Sequence, residues 1–384
     1  MTFKKVARII HLWLGLASGL VVFIVSITGC IFAFEEELFH LFHRRLVYVG
    51  APASAPVLPA SLLKARAQQA LGNADTINAV NVYGDPRMAY EFNVFQGSHQ
   101  ADNGLFEHPG LNWKRVYVNQ YTGEINGVFD MEWEFFITVR AIHQNLLLDP
   151  QIGSPIVGSA TIIFMVLLLS GLVLWWPQNR AAARQRFRFK WKETTRWKRR
   201  NYDLHNIPGF YVLIVGLFLG LTGIVWSFQW WENTVYRMLD GQVVQFKLAR
   251  NPNPGGAHHA TLLDRQLETL RSVYPDFKRI YLSEISSTNT LLAAVNRPGK
   301  DLWTHYDYHQ YDLTTGREYD RLLHNSKTRG QKWRNSNYDL HTGKTLGLPG
   351  MILAFAASLV CASLPVTGTI IWWGRKKNHQ KKRT

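Results

Sequence analysis

The sequence predicts an α-helical bundle of four membrane spans carrying two small α+β units on one side, the whole arranged as an internal duplication. Three observations carry that reading. Four apolar runs, residues 9–34, 150–177, 204–231 and 345–374, are each longer than the roughly 20 residues a helix needs to cross a bilayer. The segments between runs one and two and between runs three and four each show a helical period followed by short alternating stretches. The order of elements and several motifs in the first half recur in the second.

Charge orients the spans. The net charge is +16, and it is clustered. Residues 180–200 hold ten Lys or Arg against one acidic residue, Glu193, and residues 375–383 hold six more. Lys4, Lys5 and Arg8 precede the first run. Basic residues beside span ends mark the cytoplasmic side, and four crossings put all three clusters on one side. Both termini and the 179–203 loop are thus expected in the cytoplasm. Each cluster abuts an apolar run, which reads as membrane-surface charge and against nucleic-acid binding. The first run starts basic, yet it is too long for a signal-peptide core, and Glu35, Glu36 and Glu37 follow it. It reads as a retained anchor. Cys30 and Cys361, the two cysteines, lie inside apolar runs and offer no disulfide framework.

In chain order, the expected divisions are a first span with an outer extension (1–45), an outer unit (46–130), a second span (131–178), the basic loop (179–203), a third span (204–235), a second outer unit (236–335), a fourth span (336–375) and a tail (376–384). A Pro/Ala/Ser linker at 52–60 leads to a helical stretch at 60–71 and strands near 77–83, 88–95, 113–119 and 125–129. Gly123 is placed to supply the positive φ of a hairpin turn. The second unit repeats the plan: helix near 260–273, then strands near 277–282, 290–295 and 303–311. His11, Gly15 and Thr28-Gly29 match His205, Gly209 and Thr222-Gly223 at identical spacing. Ser170-Gly171 with Trp175-Trp176 matches Thr367-Gly368 with Trp372-Trp373. The tryptophan pairs read as an interfacial aromatic belt.

Ionisable residues at membrane spans are costly and mark function. Topology sorts four histidines into two levels. His11 and His205 fall at the cytoplasmic ends of spans one and three; His143 and His341 fall at the outer ends of spans two and four. Each level offers two imidazoles from different helices, as axial ligation of a haem iron requires. Gly15, Gly19, Gly209, Gly216 and Gly220 would give a broad ring room. His40, His43 and His324 compete for the outer position, and Arg44, Arg45 and Arg140 are candidate propionate partners. Zinc is disfavoured: there is no HExxH and no Cys/His ligand spacing. The pentapeptide NYDLH occurs at 201–205 and 337–341, but its copies fall at opposite membrane faces and carry no argument by themselves.

The HLWLG motif at His11, the Glu36-Glu37-Leu38 run, the TGEI and TGRE hairpins, and spans ending SGLVLWWP and TGTIIWWG resemble the PepSY-associated transmembrane proteins over nearly the whole chain. The nearest functional type is the siderophore-iron reductase group, of the ferrioxamine B reductase kind. That resemblance implies two PepSY-like periplasmic domains on a bacterial inner-membrane bundle, with two b-type haems held by His11, His205, His143 and His341. It implies an oxidoreductase that takes electrons from a cytoplasmic or quinol donor and reduces a ferric siderophore in the periplasm, with no further catalytic side chain. Trp231, Trp303 and Trp333 are candidate chelate contacts. The rival readings are a non-catalytic membrane module that binds a peptide or protease, and a siderophore permease. Against the permease, Pro365 is the one mid-span proline noted.

Overall fold

In hydrocarbon a backbone must satisfy its own polar groups, so long uncharged runs become helices. The computed structural model describes residues 2–50, 55–95, 106, 112–177, 179–252, 261–299 and 301–380. The first span is α1 (Phe3–Phe32), followed by α2 (Glu35–Phe42) and α3 (Arg44–Val47). The first outer unit runs α4 (Ala60–Leu71), β1 (Ala79–Tyr83), β2 (Tyr90–Phe95), β3 (Trp113–Val118) and β4 (Ile125–Asp130). Next come α5 (Phe135–Asn145), the second span α6 (Pro150–Trp175), α7 (Arg180–Arg186), the third span α8 (Trp197–Gly223) and α9 (Gln229–Asp240). The second unit runs α10 (Leu262–Val273), β5 (Arg279–Ile285), β6 (Thr290–Asn296), β7 (Tyr306–Asp312) and β8 (Glu318–Leu322). The chain finishes with α11 (Arg329–Thr342) and the fourth span α12 (Leu348–Gln380). All four spans are long and apolar enough to cross a membrane. They form a ring in which α1 and α8 each pack on both α6 and α12.

The two outer units are not separate domains. Their strands form one antiparallel sheet of eight, in the order β4-β3-β2-β1-β5-β6-β7-β8. The seam is β1 on β5, from Ala79 opposite Ser283 to Tyr83 opposite Arg279. Left alone, each four-stranded half would expose one of these strands as an unpaired edge; joining satisfies both. One core serves both halves: Leu63 and Ala67 of α4 and Leu267 and Leu270 of α10 cover Val82, Phe92, Val116, Ile280, Leu282 and Leu291 on one face of the sheet. The turns are alike as well. Gly123 (φ 73) and Gly316 (φ 71) are left-handed, and Arg66 and Arg265 reach from α4 and α10 to the carbonyls of Thr122 and Thr315. Because strand side chains alternate, the opposite face turns Asn81, Tyr83, Arg115, Tyr117 and Arg279 toward the bundle.

The second and fourth spans were expected to be continuous with the segments bearing His143 and His341. Both are instead divided. Leu146 (φ 59) and Leu147 (φ 61) are left-handed after α5, and the Asp149 carboxylate caps α6 at Gln151 N, 2.8 Å away. Between α11 and α12 the turn uses Gly343 (φ 81) and Gly347 (φ 68). His143 and His341 therefore sit on short separate helices that can tilt independently of the spans. Helix-interior prolines are also more numerous than noted: Pro155 in α6 and Pro208 in α8 join Pro365.

A Cβ at Gly343 would lie 2.2 Å from Gly350 O. Gly343→Ala is expected to lower stability by at least about 1–3 kcal/mol from backbone strain alone, read as a reduced melting temperature of the detergent-solubilised protein. An unchanged melting temperature would contradict the strained turn.

Candidate functional site

The four histidines meet in twos. The rings of His11 and His205 are 6.2 Å apart between centres and mutually perpendicular. Those of His143 and His341 are 6.1 Å apart at 61°. Seventeen residues separate His11 from Thr28 and His205 from Thr222, which places the two pairs about 25 Å apart along the bundle at helical rise.

Each ring is held by a Ser/Thr-Gly dipeptide on a neighbouring helix. The Nδ1 atom of His11 lies 3.0 Å from Ser170 Oγ, that of His143 3.2 Å from Thr28 Oγ1, that of His205 2.9 Å from Thr367 Oγ1 and that of His341 2.9 Å from Thr222 Oγ1. The following glycine touches Cε1 of the same ring: a Cβ at Gly171, Gly29, Gly368 or Gly223 would sit 3.1–3.3 Å from it. The Nδ1 atom of His143 also lies 2.9 Å from the backbone carbonyl of Val25, three residues before the hydroxyl.

These contacts assign the tautomer. At His143 the Val25 carbonyl only accepts, so Nδ1 must carry the proton. The hydroxyls agree, because each has a single proton and donates it within its own helix: Thr28 to Ile24 O, Thr222 to Phe218 O and Thr367 to Ser363 O at 2.8 Å, Ser170 to Leu167 O at 3.1 Å. In its neutral form each imidazole then carries its lone pair on Nε2. Two metal–nitrogen bonds of about 2 Å plus the two half-rings give a centre-to-centre distance of about 6 Å, which the spacing of each pair matches. Among the described residues no group of three or more His, Cys, Asp or Glu forms a metal cluster. A metal held by either pair would have two protein ligands, with any others supplied by a bound group.

The NYDLH repeat gains a structural role. Asn201 and Asn337, four residues before His205 and His341, donate to the carbonyls of Thr367 and Thr222 at 3.1 Å. The same local device thus locks a histidine helix to its clamp at either end of the bundle. Ala7 and Val139 occupy the corresponding positions before His11 and His143.

Above the outer pair lies a cavity of about 900 Å³, bounded by the spans below and the polar face of the sheet above. His143, His341, Gly216 and Gly220 line it, while Gly15, Gly19 and Gly209 face side chains of other spans instead (Leu167, Pro365 and Leu364). Charged groups ring its upper part. Glu36 bridges Arg279 and Lys344 at 2.8 Å each, joining α2, the second half of the sheet and the α11–α12 turn. Burial opposes ionisation of Glu36, but the Arg279 and Lys344 charges outweigh it and hold the carboxyl at about 2. Burial likewise opposes the Glu91 charge, and Arg115 with the Asn81 and Asn93 amides keeps that carboxyl below its usual value. Arg140 lines the cavity one turn before His143.

Several expected residues fall elsewhere. His43 stacks on Phe39, donates to its carbonyl and lies with Arg44 and Arg45 in a separate shallow depression. His324 bonds Thr304 O at 2.6 Å, away from the cavity lining. His40 lines the cavity but is not part of a pair. Trp303 lines it too, whereas Trp231 donates to Leu221 O and Trp333 packs edge-on against Tyr236. Trp175 is not a belt residue: it is buried and stacked on Phe210 at 3.9 Å. His99, His108, His258 and His259 lie outside the described residues. Glu36, Glu91, Arg115, Arg279 and Lys344 were not singled out from the sequence. For Glu91, Arg115 and Arg279 the available signal was a charge on a strand, whereas Glu36 and Lys344 lie outside the strands.

A family model for the PepSY-associated TM region matches residues 8–375. The chain belongs to the PepSY-associated transmembrane family. A search of curated proteins finds no match to it. In this PepSY-associated protein the match spans the whole bundle together with the sheet, so the paired histidines and their clamps all lie within the family region.

Nitrogen-15 spectra of the histidine side chains in the purified protein are expected to show all four as the Nδ1-protonated tautomer. Thr222→Val should perturb His341 selectively and cost about 1 kcal/mol. Acid should act on the Glu36 bridge. Its folded carboxyl titrates below the ordinary 4.5, so its stabilisation is complete above that pH and is lost as pH falls from 4.5 through about 2. Melting temperature should therefore drop more steeply over that window in the wild type than in Glu36→Gln.

Proposed function

We propose that this protein is a membrane reductase that binds two b-type haems, one per histidine pair, and delivers electrons to a ferric chelate seated in the cavity under the sheet. The observation that carries this reading is the pairing of four clamped imidazoles, with ring centres about 6 Å apart in each pair. Two protein ligands per site are too few for a zinc site, which takes four, but they are the number a haem leaves open. The glycine-lined gap around the outer pair supports a flat macrocycle there. A haem so held supplies one-electron exchange.

The chain's own residues do the rest. His11 and His205 hold one group near the basic end; His143 and His341 hold the other near the sheet. The clamps fix each ring in a ligating tautomer before any ligand arrives, so little reorganisation is needed. The hydrocarbon core is roughly 30 Å thick, and two sites about 25 Å apart divide the crossing. Over the outer pair, Arg140 would offer a cation to carboxylates, while Arg334 and Lys344 are paired with Glu232 and Glu36, and the mixed charge of the upper cavity suits a polar iron chelate. The electron donor would approach the basic end, which the positive-inside rule would make the cytoplasmic side, and the membrane would be a bacterial inner one, as the family resemblance implies.

The test is pigment content per chain. Reduced-minus-oxidised absorption of the purified protein should show two low-spin haems. His11→Ala or His205→Ala should remove one of them, and His143→Ala or His341→Ala the other. A colourless full-length protein that binds peptide would sink this proposal and favour a non-catalytic module.

A further inference from the structure

A second surface lies at the opposite end of the bundle from the cavity. Residues 187–192 read Phe-Arg-Phe-Lys-Trp-Lys and have no regular secondary structure. They do not hang free in water. Arg186 donates to Trp175 O, and the Tyr211 hydroxyl donates to Phe187 O at 3.0 Å. The Phe187 ring meets Trp175 and Phe210 edge-on. Trp191 Nε1 donates to Asp203 at 3.1 Å, and Phe189 lies against Trp191 with ring centres 4.7 Å apart. The segment is thus strapped across the ends of α6 and α8. Arg188, Lys190 and Lys192 alternate with these rings and are exposed. Among the described residues, none of the three has an ion-pair partner.

We propose that this strap binds anionic phospholipid, with the phosphodiester headgroup on Arg188, Lys190 and Lys192 and the acyl-glycerol region against Phe189 and Trp191. Two features favour a lipid surface over a soluble acidic partner. Exposed rings accompany the cations at the level where the spans leave the bilayer, with Trp176 and Trp197 each 62% exposed nearby, and aromatic side chains settle at that interface. The cations are also positioned beside the bundle, within a Debye length of the headgroups, where each contributes about fivefold to affinity for an anionic membrane. This inference does not depend on the nature of the group held by the histidines.

The experiment uses the full-length protein, delipidated in neutral detergent and titrated with phosphatidylglycerol or phosphatidylcholine. Lipid retention is read by native mass spectrometry and stability by thermal melting. Phosphatidylglycerol should be retained and should raise the melting temperature, while phosphatidylcholine does neither. Replacing Arg188, Lys190 and Lys192 together by Gln should weaken phosphatidylglycerol binding about tenfold or more and leave the lipid-free melting temperature unchanged. Equal binding of both lipids, or wild-type binding by the triple variant, would overturn the proposal. So would equal stabilisation by inorganic phosphate, which would mark a simple anion site. Displacement of the lipid by polyglutamate with greater stabilisation would reassign the strap to an acidic protein.

Discussion

A hydroxyl group has one proton to give. At Thr28, Ser170, Thr222 and Thr367 that proton goes to a carbonyl of the same helix, which leaves the oxygen able only to accept from the imidazole facing it. At His143 the carbonyl of Val25 imposes the same direction. In a setting without water, this constraint decides which nitrogen of each histidine is left bare, and the rest of the bundle is arranged around the result. The adjoining glycines fit because a ring close enough to share that hydroxyl would be pressed by a Cβ only 3.1–3.3 Å away.

The clamps also explain the connectivity. In the first half, His11 on α1 is held by α6, while His143 on α5 is held by α1. In the second half, His205 on α8 is held by α12 and His341 on α11 by α8. Each half thus closes its own two clamps, and the two halves pack on each other along α1–α12 and α6–α8, with their histidines facing across the bundle. Outside the spans the halves are also joined through the β1–β5 seam and a shared core. The Glu36 bridge to Arg279 and Lys344 adds a polar tie across the same boundary. A rigid sheet fixed over the outer pair is what gives the cavity a stable roof.

Much of the site was readable in the residues because it repeats. His11 and His205, with Thr28-Gly29 and Thr222-Gly223 at equal spacing, announced two equivalent spans. Hydropathy and basic clusters then sorted the histidines by level. The Ser/Thr-Gly dipeptides were visible as repeat markers, but nothing local connects Ser170 with His11 across 159 positions. NYDLH showed the reverse difficulty. Its copies fall at opposite ends of the bundle, so the repeat alignment argued against a common role, although the Asn-to-carbonyl contact is the same in both.

The sequence by itself determined what short-range physics controls: four spans from runs of apolar residues, strands from alternation, left-handed hairpin glycines at Gly123 and Gly316, and four histidines at two depths. Only the tertiary structure decided that α5 and α11 break from the spans they precede, that β1 pairs with β5 to merge two units into one sheet, and that Glu36, Arg115 and Arg279 converge over the outer histidines. Those outcomes depend on contacts between segments far apart in the chain. Whether a strand edge is free or paired, and whether a charge faces water or another charge, is settled by what the fold places opposite it.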